Sequence, residues 1–192
     1  MCLAKSGIAI YVDEQTVKVY TLPGDDSHEQ IREHFHLSDR GELSRFATPL
    51  ECIPITGIGA NEADYELVFD DCCPTWWTDQ MSADAKACLV QAFVNELADG
   101  AYKEFSLNLR RLTSLPDNCT LTPGGGLDLP SLTSLPEGCT LAPGGYLDLC
   151  SLTVLPEGCT LAPGGELYLS KNIAATLLAR IKTMFSGTIE FC

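Results

Sequence analysis

Residues 106–165 consist of three consecutive repeats of 20 residues each. The repeats cover 106–125, 126–145 and 146–165, and a fourth begins at 166–170 before the pattern breaks. A fixed period of this length is typical of solenoids, in which each repeat buries its apolar face only against its neighbours. The repeat therefore predicts a short β-solenoid over residues 105–170.

Each repeat opens with two leucines separated by one residue, a spacing that points both leucines to one side of a β-strand. These pairs are Leu107/Leu109, Leu127/Leu129, Leu147/Leu149 and Leu167/Leu169. The residues between them, Asn108, Asp128, Asp148 and Tyr168, are expected to face outward. Further along each repeat, Cys119, Cys139 and Cys159 form a second inward column, and Pro-Gly-Gly closes the repeat in a tight corner. Equivalent residues are then expected about 4.8 Å apart along the stack.

These repeats resemble the leucine-rich repeat family in its short bacterial form. The matching text is Leu-x-Leu followed by Leu-Thr-Ser-Leu-Pro, at 112–116 and 132–136, which bacterial effector proteins of that family also carry. The Leu-Pro-Glu-Gly text is similar to repeats of phage and prophage proteins. Where the family keeps an asparagine after the strand, this chain has Leu132 and Leu152. The resemblance covers about a third of the chain and implies a repetitive surface that binds protein.

Residues 1–104 are predicted to form a small α/β domain, so the fold class is α+β. Alternating strands at 7–12 and 16–22 indicate a hairpin, and Ser27 opens a capping box for a short helix. Further strands are predicted at 49–55 and 65–69, and a helix at 82–98. Trp76 and Trp77 precede this helix, either as an exposed interaction anchor or as rings packed beneath it. Residues 171–192 are predicted to supply a capping helix, with Ser170 as its N-cap, and a short strand.

The chain carries a net charge of −14, distributed unevenly. Residues 61–99 hold nine acids and one base, and residues 112–170 hold six acids and no base. The six are Asp117, Asp128, Glu137, Asp148, Glu157 and Glu166. Such a field repels nucleic acid and acidic membranes and attracts a partner protein with a basic surface. The same charge also serves solubility alone, and this alternative stays open.

The ten cysteines are expected to be mostly reduced thiols that serve as small apolar residues, because the chain has enough apolar residues for a core and no Cys-x-x-Cys motif. No long apolar segment predicts a membrane helix or signal peptide, so a cytoplasmic protein is expected.

No catalytic, cofactor-binding or metal-binding set stands out. The three histidines, His28, His34 and His36, lie close together without metal-ligand spacing. We expect a non-enzymatic protein that binds another protein, for example a phage- or effector-type inhibitor of a host protein that handles nucleic acid. The alternatives are an enzyme that uses Cys2, Cys72 or Cys73 with a histidine, and a structural or assembly scaffold.

Overall fold

A computed structural model describes residues 5–24, 27–37, 47–70 and 72–192. The fold is α+β and comprises two compact units. One unit contains the described residues of Met1–Ile53 and Ala60–Asp99, and the other contains Pro54–Gly59 and Gly100–Cys192. In the described chain no helix is long and apolar enough to cross a membrane.

The first unit is built on a sheet with the strand order β2-β1-β3-β4. Its strands are β1 (Lys5–Asp13), β2 (Thr16–Tyr20), β3 (Ala47–Pro54) and β4 (Tyr65–Phe69). The predicted hairpin is confirmed, because β1 and β2 pair antiparallel. Helix α1 (His28–His34) begins at the predicted cap, where the Ser27 hydroxyl accepts a hydrogen bond from the Gln30 backbone N–H at 3.4 Å.

Helix α2 (Asp79–Asp99) starts three residues before the predicted position and buries Met81, Ala85, Leu89 and Phe93. The buried face of α2 also includes one charged residue, Glu96. Glu96 lies 3.0 Å from the ammonium group of Lys5, whose side chain is fully buried, and that ammonium also donates to the Leu22 carbonyl at 2.6 Å. Pairing and hydrogen bonding compensate two charges that would each be costly if buried alone.

In the second unit the 20-residue period appears as strand pairing. Two parallel sheets are formed, with the orders β12-β11-β9-β7-β5 and β10-β8-β6. The first contains β5 (Leu107–Asn108), β7 (Leu127–Asp128), β9 (Leu147–Leu149), β11 (Leu167–Leu169) and β12 (Ile189–Phe191). The second contains β6 (Thr120–Leu121), β8 (Thr140–Leu141) and β10 (Thr160–Leu161). Equivalent residues pair directly, as Leu127 does with Leu147 and Thr140 with Thr160. We refer to residues 106–192 as the repeat stack.

The predicted inward columns are buried. Leu127, Leu129, Leu147, Leu149, Leu167 and Leu169 are all fully buried, and Cys119, Cys139 and Cys159 are at most 8% exposed. The second and third Pro-Gly-Gly corners each bond to the corner of the preceding repeat. The Gly144 N–H donates to the Pro123 carbonyl at 2.8 Å, and the Gly164 N–H to the Pro143 carbonyl at the same distance. A Cβ on Gly144 would overlap the Gly124 carbonyl oxygen, so close approach requires glycine there.

The last helix differs from the sequence prediction at its start. Helix α3 spans Ala175–Met184, and its N-cap is Ala174, which makes no side-chain cap bond. The prediction of Ser170 as N-cap is wrong, because the Ser170 hydroxyl accepts from the Asn172 N–H at 3.1 Å in a turn that precedes the helix. Arg180 fastens α3 to the third repeat by donating to the carbonyls of Leu155 and Pro156, the latter at 2.7 Å.

Candidate functional site

Three acidic residues occupy the same exposed position in successive repeats. Asp117, Glu137 and Glu157 each follow a proline and begin a turn, and all three are exposed. The turn repeats with them, because Asn118, Gly138 and Gly158 all have a left-handed backbone, with φ of 56°, 68° and 79°. The Asn118 N–H donates to the Glu137 carbonyl at 3.0 Å and so connects the first two turns. We call Asp117, Glu137 and Glu157 the acidic column.

Asp128 does not belong to an exposed acidic surface. Its side chain was expected to face outward, but the residue is only 2% exposed, and Asn108 before it is 7% exposed. The Asp128 carboxylate accepts from the Tyr146 hydroxyl at 2.9 Å and lies 3.6 Å from the Arg110 guanidinium. Asp128 is buried because the Tyr146 ring covers it. The ring fits there because Gly126, at the equivalent position one repeat earlier, has no side chain to occupy that space. Burial, together with the hydrogen bond to Asp128 and its charge, raises the pKa of Tyr146 to about 12, so Tyr146 remains a donor.

Asp148 and Glu166 are in intermediate and exposed positions. Asp148 is half-buried, its carboxylate accepts from the Cys150 N–H at 3.0 Å, and burial raises its pKa above the usual value. Glu166 is exposed and accepts from the Tyr168 hydroxyl at 2.7 Å. The Tyr168 ring meets the Tyr146 ring edge-on, with centroids 6.0 Å apart. The six predicted acids thus divide among different columns and do not form one continuous surface.

The two adjacent tryptophans belong to an aromatic cluster of the first unit. Trp76 meets Tyr11 edge-on with ring centroids 5.0 Å apart, and Trp77 meets Phe69 edge-on at 5.2 Å. The Trp77 indole N–H donates to the Ser82 hydroxyl at 2.7 Å, which fixes the ring at the start of α2. Both tryptophans are half-buried, so they pack against the unit and still present part of their rings to solvent.

Among the described residues, no contact is seen between a histidine ring and a cysteine thiol. The two ring nitrogens of His28 are engaged, Nδ1 with Asp70 at 2.7 Å and Nε2 with the Leu50 carbonyl at 3.0 Å. Cys72 and Cys73 are exposed free thiols, and Cys2 lies outside the described residues.

Seven of the described cysteines are free thiols, but Cys150 and Cys192 form a disulfide that the sequence analysis did not predict. Their Cα atoms are 6.2 Å apart. Cys150 directly follows β9 and Cys192 directly follows β12, while β11 pairs with both strands. The disulfide therefore fastens β12 across β11. Together with Asp148 these two sulfurs are the metal-ligand cluster found among the described residues, but bonded sulfurs offer no thiolate to a metal.

A sequence signal for this arrangement exists. Ile189-Glu-Phe-Cys192 repeats the pattern of Leu147-Asp-Leu-Cys150, that is, apolar, acidic, apolar and cysteine. The register agrees with it, because β12 pairs in parallel with β11, with Ile189 opposite Leu167 and Phe191 opposite Leu169. The predicted short strand at the end of the chain is thus a further strand of the repeat stack.

A pocket of about 400 Å³ opens between the end of α3 and β12. It is lined by Lys182, Phe185, Ser186, Gly187, Ile189 and Phe191. Phe185 is buried, whereas Phe191 is 44% exposed. The apolar columns of the repeat stack therefore end in a concave surface that is partly open to solvent.

Comparison with protein-family models, curated proteins and solved structures finds no match to this chain. The likeness of the repeats to leucine-rich repeats stays a prediction from their sequence.

Proposed function

We propose that this chain is a non-enzymatic protein-binding protein, in which residues 106–169 act as a short leucine-rich β-solenoid. Its acidic column contacts a basic surface on a partner protein. The buried leucine columns and the register between repeats support the solenoid interpretation, because each repeat completes its core only against its neighbours.

The exposure of the acidic column is the observation that carries the proposal. Asp117, Glu137 and Glu157 are exposed and occupy the same place in successive repeats, and residues 112–170 contain no basic residue. A base from outside this range, Arg180 of α3, donates to the Pro156 carbonyl beside Glu157. Like charges that recur at the repeat spacing repel one another, although solvent screens this repulsion at exposed positions. A basic partner surface would relieve this repulsion on binding and would be steered to the column by its field.

A host protein that handles nucleic acid is the partner that suits this charge. Such proteins present clustered lysines and arginines to phosphates, and an acidic protein can occupy the same surface. Direct binding of nucleic acid is disfavoured by the net charge of −14. The proposed role is inhibition of such a protein of the producing or host cell, in the manner of a phage or effector protein.

The test compares two variants of equal net charge in affinity enrichment from a lysate of the producing or host cell. One variant reverses the acidic column (Asp117→Lys, Glu137→Lys, Glu157→Lys), and the control reverses three exposed acids of the other unit (Glu14→Lys, Glu33→Lys, Glu62→Lys). We expect the column variant to lose the partner and the control to retain it. Binding of the purified partner should weaken with salt, because exposed charges are screened beyond about 8 Å at physiological ionic strength. Equal enrichment by the wild type and the column variant would contradict the proposal.

A further inference from the structure

We propose that the outer edge of β12 binds an extended segment of a partner protein with the pattern apolar–basic–apolar, which adds in parallel as the next strand of the sheet. The site lies at the end of the repeat stack and shares no residue with the acidic column. Addition of a strand to a sheet edge is a general mode of peptide recognition, in which main-chain hydrogen bonds give affinity and side-chain pockets give specificity.

The backbone of β12 continues a hydrogen-bond ladder that then stops. In each earlier strand the N–H of the first inward leucine donates to the next strand; for Leu147 the acceptor is the Glu166 carbonyl at 2.9 Å, and for Leu167 it is the Thr188 carbonyl at 3.0 Å. Ile189 occupies the next place in this column, and β12 is the last strand of its sheet. Because parallel strands bond alternately to their two sides, Ile189 and Phe191 direct their N–H and C=O groups to the outer edge. No acceptor or donor for them occurs among residues 5–24, 27–37, 47–70 and 72–192.

The side chains of β12 continue the apolar columns in the same way. Leu149 and Leu169 are fully buried, but Phe191, which is next in their column, is 44% exposed. Ile189 and Phe191 also line the pocket beside α3. An incoming strand would place two apolar side chains, at positions i and i+2, next to Ile189 and Phe191 and over this pocket. These two positions of the bound segment must therefore be apolar.

The residue between the two apolar positions is selected by charge. Glu190 is exposed and lies on the opposite face of the strand from the pocket, in register with Tyr168 and, beyond it, Asp148. The central residue of an added strand would lie about 4.8 Å from Glu190 along the ladder. A lysine or arginine there forms a favourable cross-strand pair with Glu190, whereas an acid would be repelled. Charge complementarity thus identifies the occupant as an apolar–basic–apolar segment.

The disulfide makes the edge a suitable receptor. Cys192 follows Phe191 directly and is bonded to Cys150, so the end of β12 is held in place before any ligand arrives. A strand that is already fixed loses little conformational entropy when it pairs with a peptide.

The probe is a fluorescein-labelled peptide, acetyl-Gly-Ser-Leu-Arg-Leu-Ser-Gly-amide, titrated with the oxidised full-length protein and followed by fluorescence polarisation. Three control peptides change one feature each: glutamate in place of arginine, serine in place of both leucines, and an N-methyl group on the arginine nitrogen. In the proposed register the arginine N–H donates to the Ile189 carbonyl, so N-methylation should weaken binding about three- to tenfold. The glutamate and serine peptides should bind more weakly than the parent peptide, because each loses one of the two selected contacts.

The variant Glu190→Lys should weaken binding of the arginine peptide about two- to fivefold and strengthen binding of the glutamate peptide, because the cross-strand charge is exchanged. This variant leaves Asp117, Glu137 and Glu157 unchanged, so its effect is separate from that of the acidic column. Absence of saturable binding up to about 1 mM peptide would overturn the proposal, as would equal affinity for the N-methylated peptide. Light scattering of the protein alone tests whether a second copy of this chain occupies the edge of β12. A dimer that dissociates in the Glu190→Lys variant would assign the edge to a second copy and would also overturn the proposal.

Discussion

Three glycines of the second unit distinguish two reasons why a position can require glycine, namely a close contact and a left-handed backbone. Gly144 has its N–H bonded to the Pro123 carbonyl at 2.8 Å, and a Cβ there would overlap the Gly124 carbonyl of the preceding repeat. Gly158 has a left-handed backbone with φ of 79°, but the nearest atom to its added Cβ is 4.0 Å away. Gly59 has no atom within 4 Å of an added Cβ. Gly144→Ala therefore tests the close contact and Gly158→Ala tests the backbone conformation. Gly59→Ala is the control, because neither effect applies there.

The expected costs follow from these differences. In Gly144→Ala the overlap costs about 1–3 kcal/mol and the disturbed hydrogen bond about 0.5–1.5 kcal/mol, so the free energy of unfolding should fall by about 2–4 kcal/mol. In Gly158→Ala the left-handed backbone costs about 1–2 kcal/mol, which the reduced entropy of the unfolded chain partly offsets, leaving about 1 kcal/mol. In Gly59→Ala the change should stay within about 0.5 kcal/mol.

The assay is equilibrium unfolding in urea followed by circular dichroism, with hydrogen exchange of peptides from residues 106–169 as a local measure. Both tryptophans lie in the first unit, so tryptophan fluorescence would not report on the repeat stack. With a urea m-value of about 2 kcal/mol/M, the Gly144→Ala midpoint should fall by about 1–2 M. If Gly144→Ala is as stable as Gly59→Ala, the repeats do not stack at the 20-residue register. If Gly158→Ala costs more than Gly144→Ala, backbone conformation is the reason for these glycines and the close contact is not.

Three further predictions concern charge, core and thiols. Asp148→Asn should raise the free energy of unfolding at pH 7 by about 0.2–1 kcal/mol, since it removes a carboxylate whose charged form is disfavoured first by burial and then by the like charge of Asp128. Because burial raises the pKa of Asp148, wild-type stability falls as the pH rises from the ordinary carboxyl pKa through the raised one, and this contribution should be absent from the variant in urea melts. Leu147→Asp places an unpaired charge at a fully buried site, so a melting temperature equal to that of wild type would disprove the column assignment. Thiol titration of the unreduced protein in denaturant should find at least two fewer groups than the ten cysteines, and the full ten would exclude the bond between Cys150 and Cys192.

The sequence predicts the inward columns of the repeats well, because their period and their spacing are both visible in one chain. Leu127, Leu147 and Leu167 pair and are buried as the pattern requires. The same reasoning wrongly predicts that Asp128 is exposed. Alternation along a strand shows which face of the sheet a side chain lies on, but not whether another side chain covers that face. The covering group is Tyr146, and it fits only because Gly126 stands in the same column one repeat earlier.

The two ends of the repeat stack are closed in physically different ways. At the first repeat, carbonyl groups of segments outside the repeats accept hydrogen bonds from backbone N–H groups of the repeat. The Thr113 N–H donates to the Ile55 carbonyl at 2.8 Å, and the Gly124 N–H donates to the Tyr102 carbonyl at 3.0 Å. These bonds anchor the turn and the corner of the first repeat, while β5 and β6 are the last strands of their sheets at this end.

At the other end α3 covers part of the core, but β12 is itself a strand. A strand used as a cap moves the unpaired edge outward by one position and does not remove it. The disulfide of Cys192 then holds that edge in a fixed place. Because the edge of β12 is fixed by the disulfide and carries exposed apolar and acidic side chains, it is suited to bind an extended segment with a basic central residue.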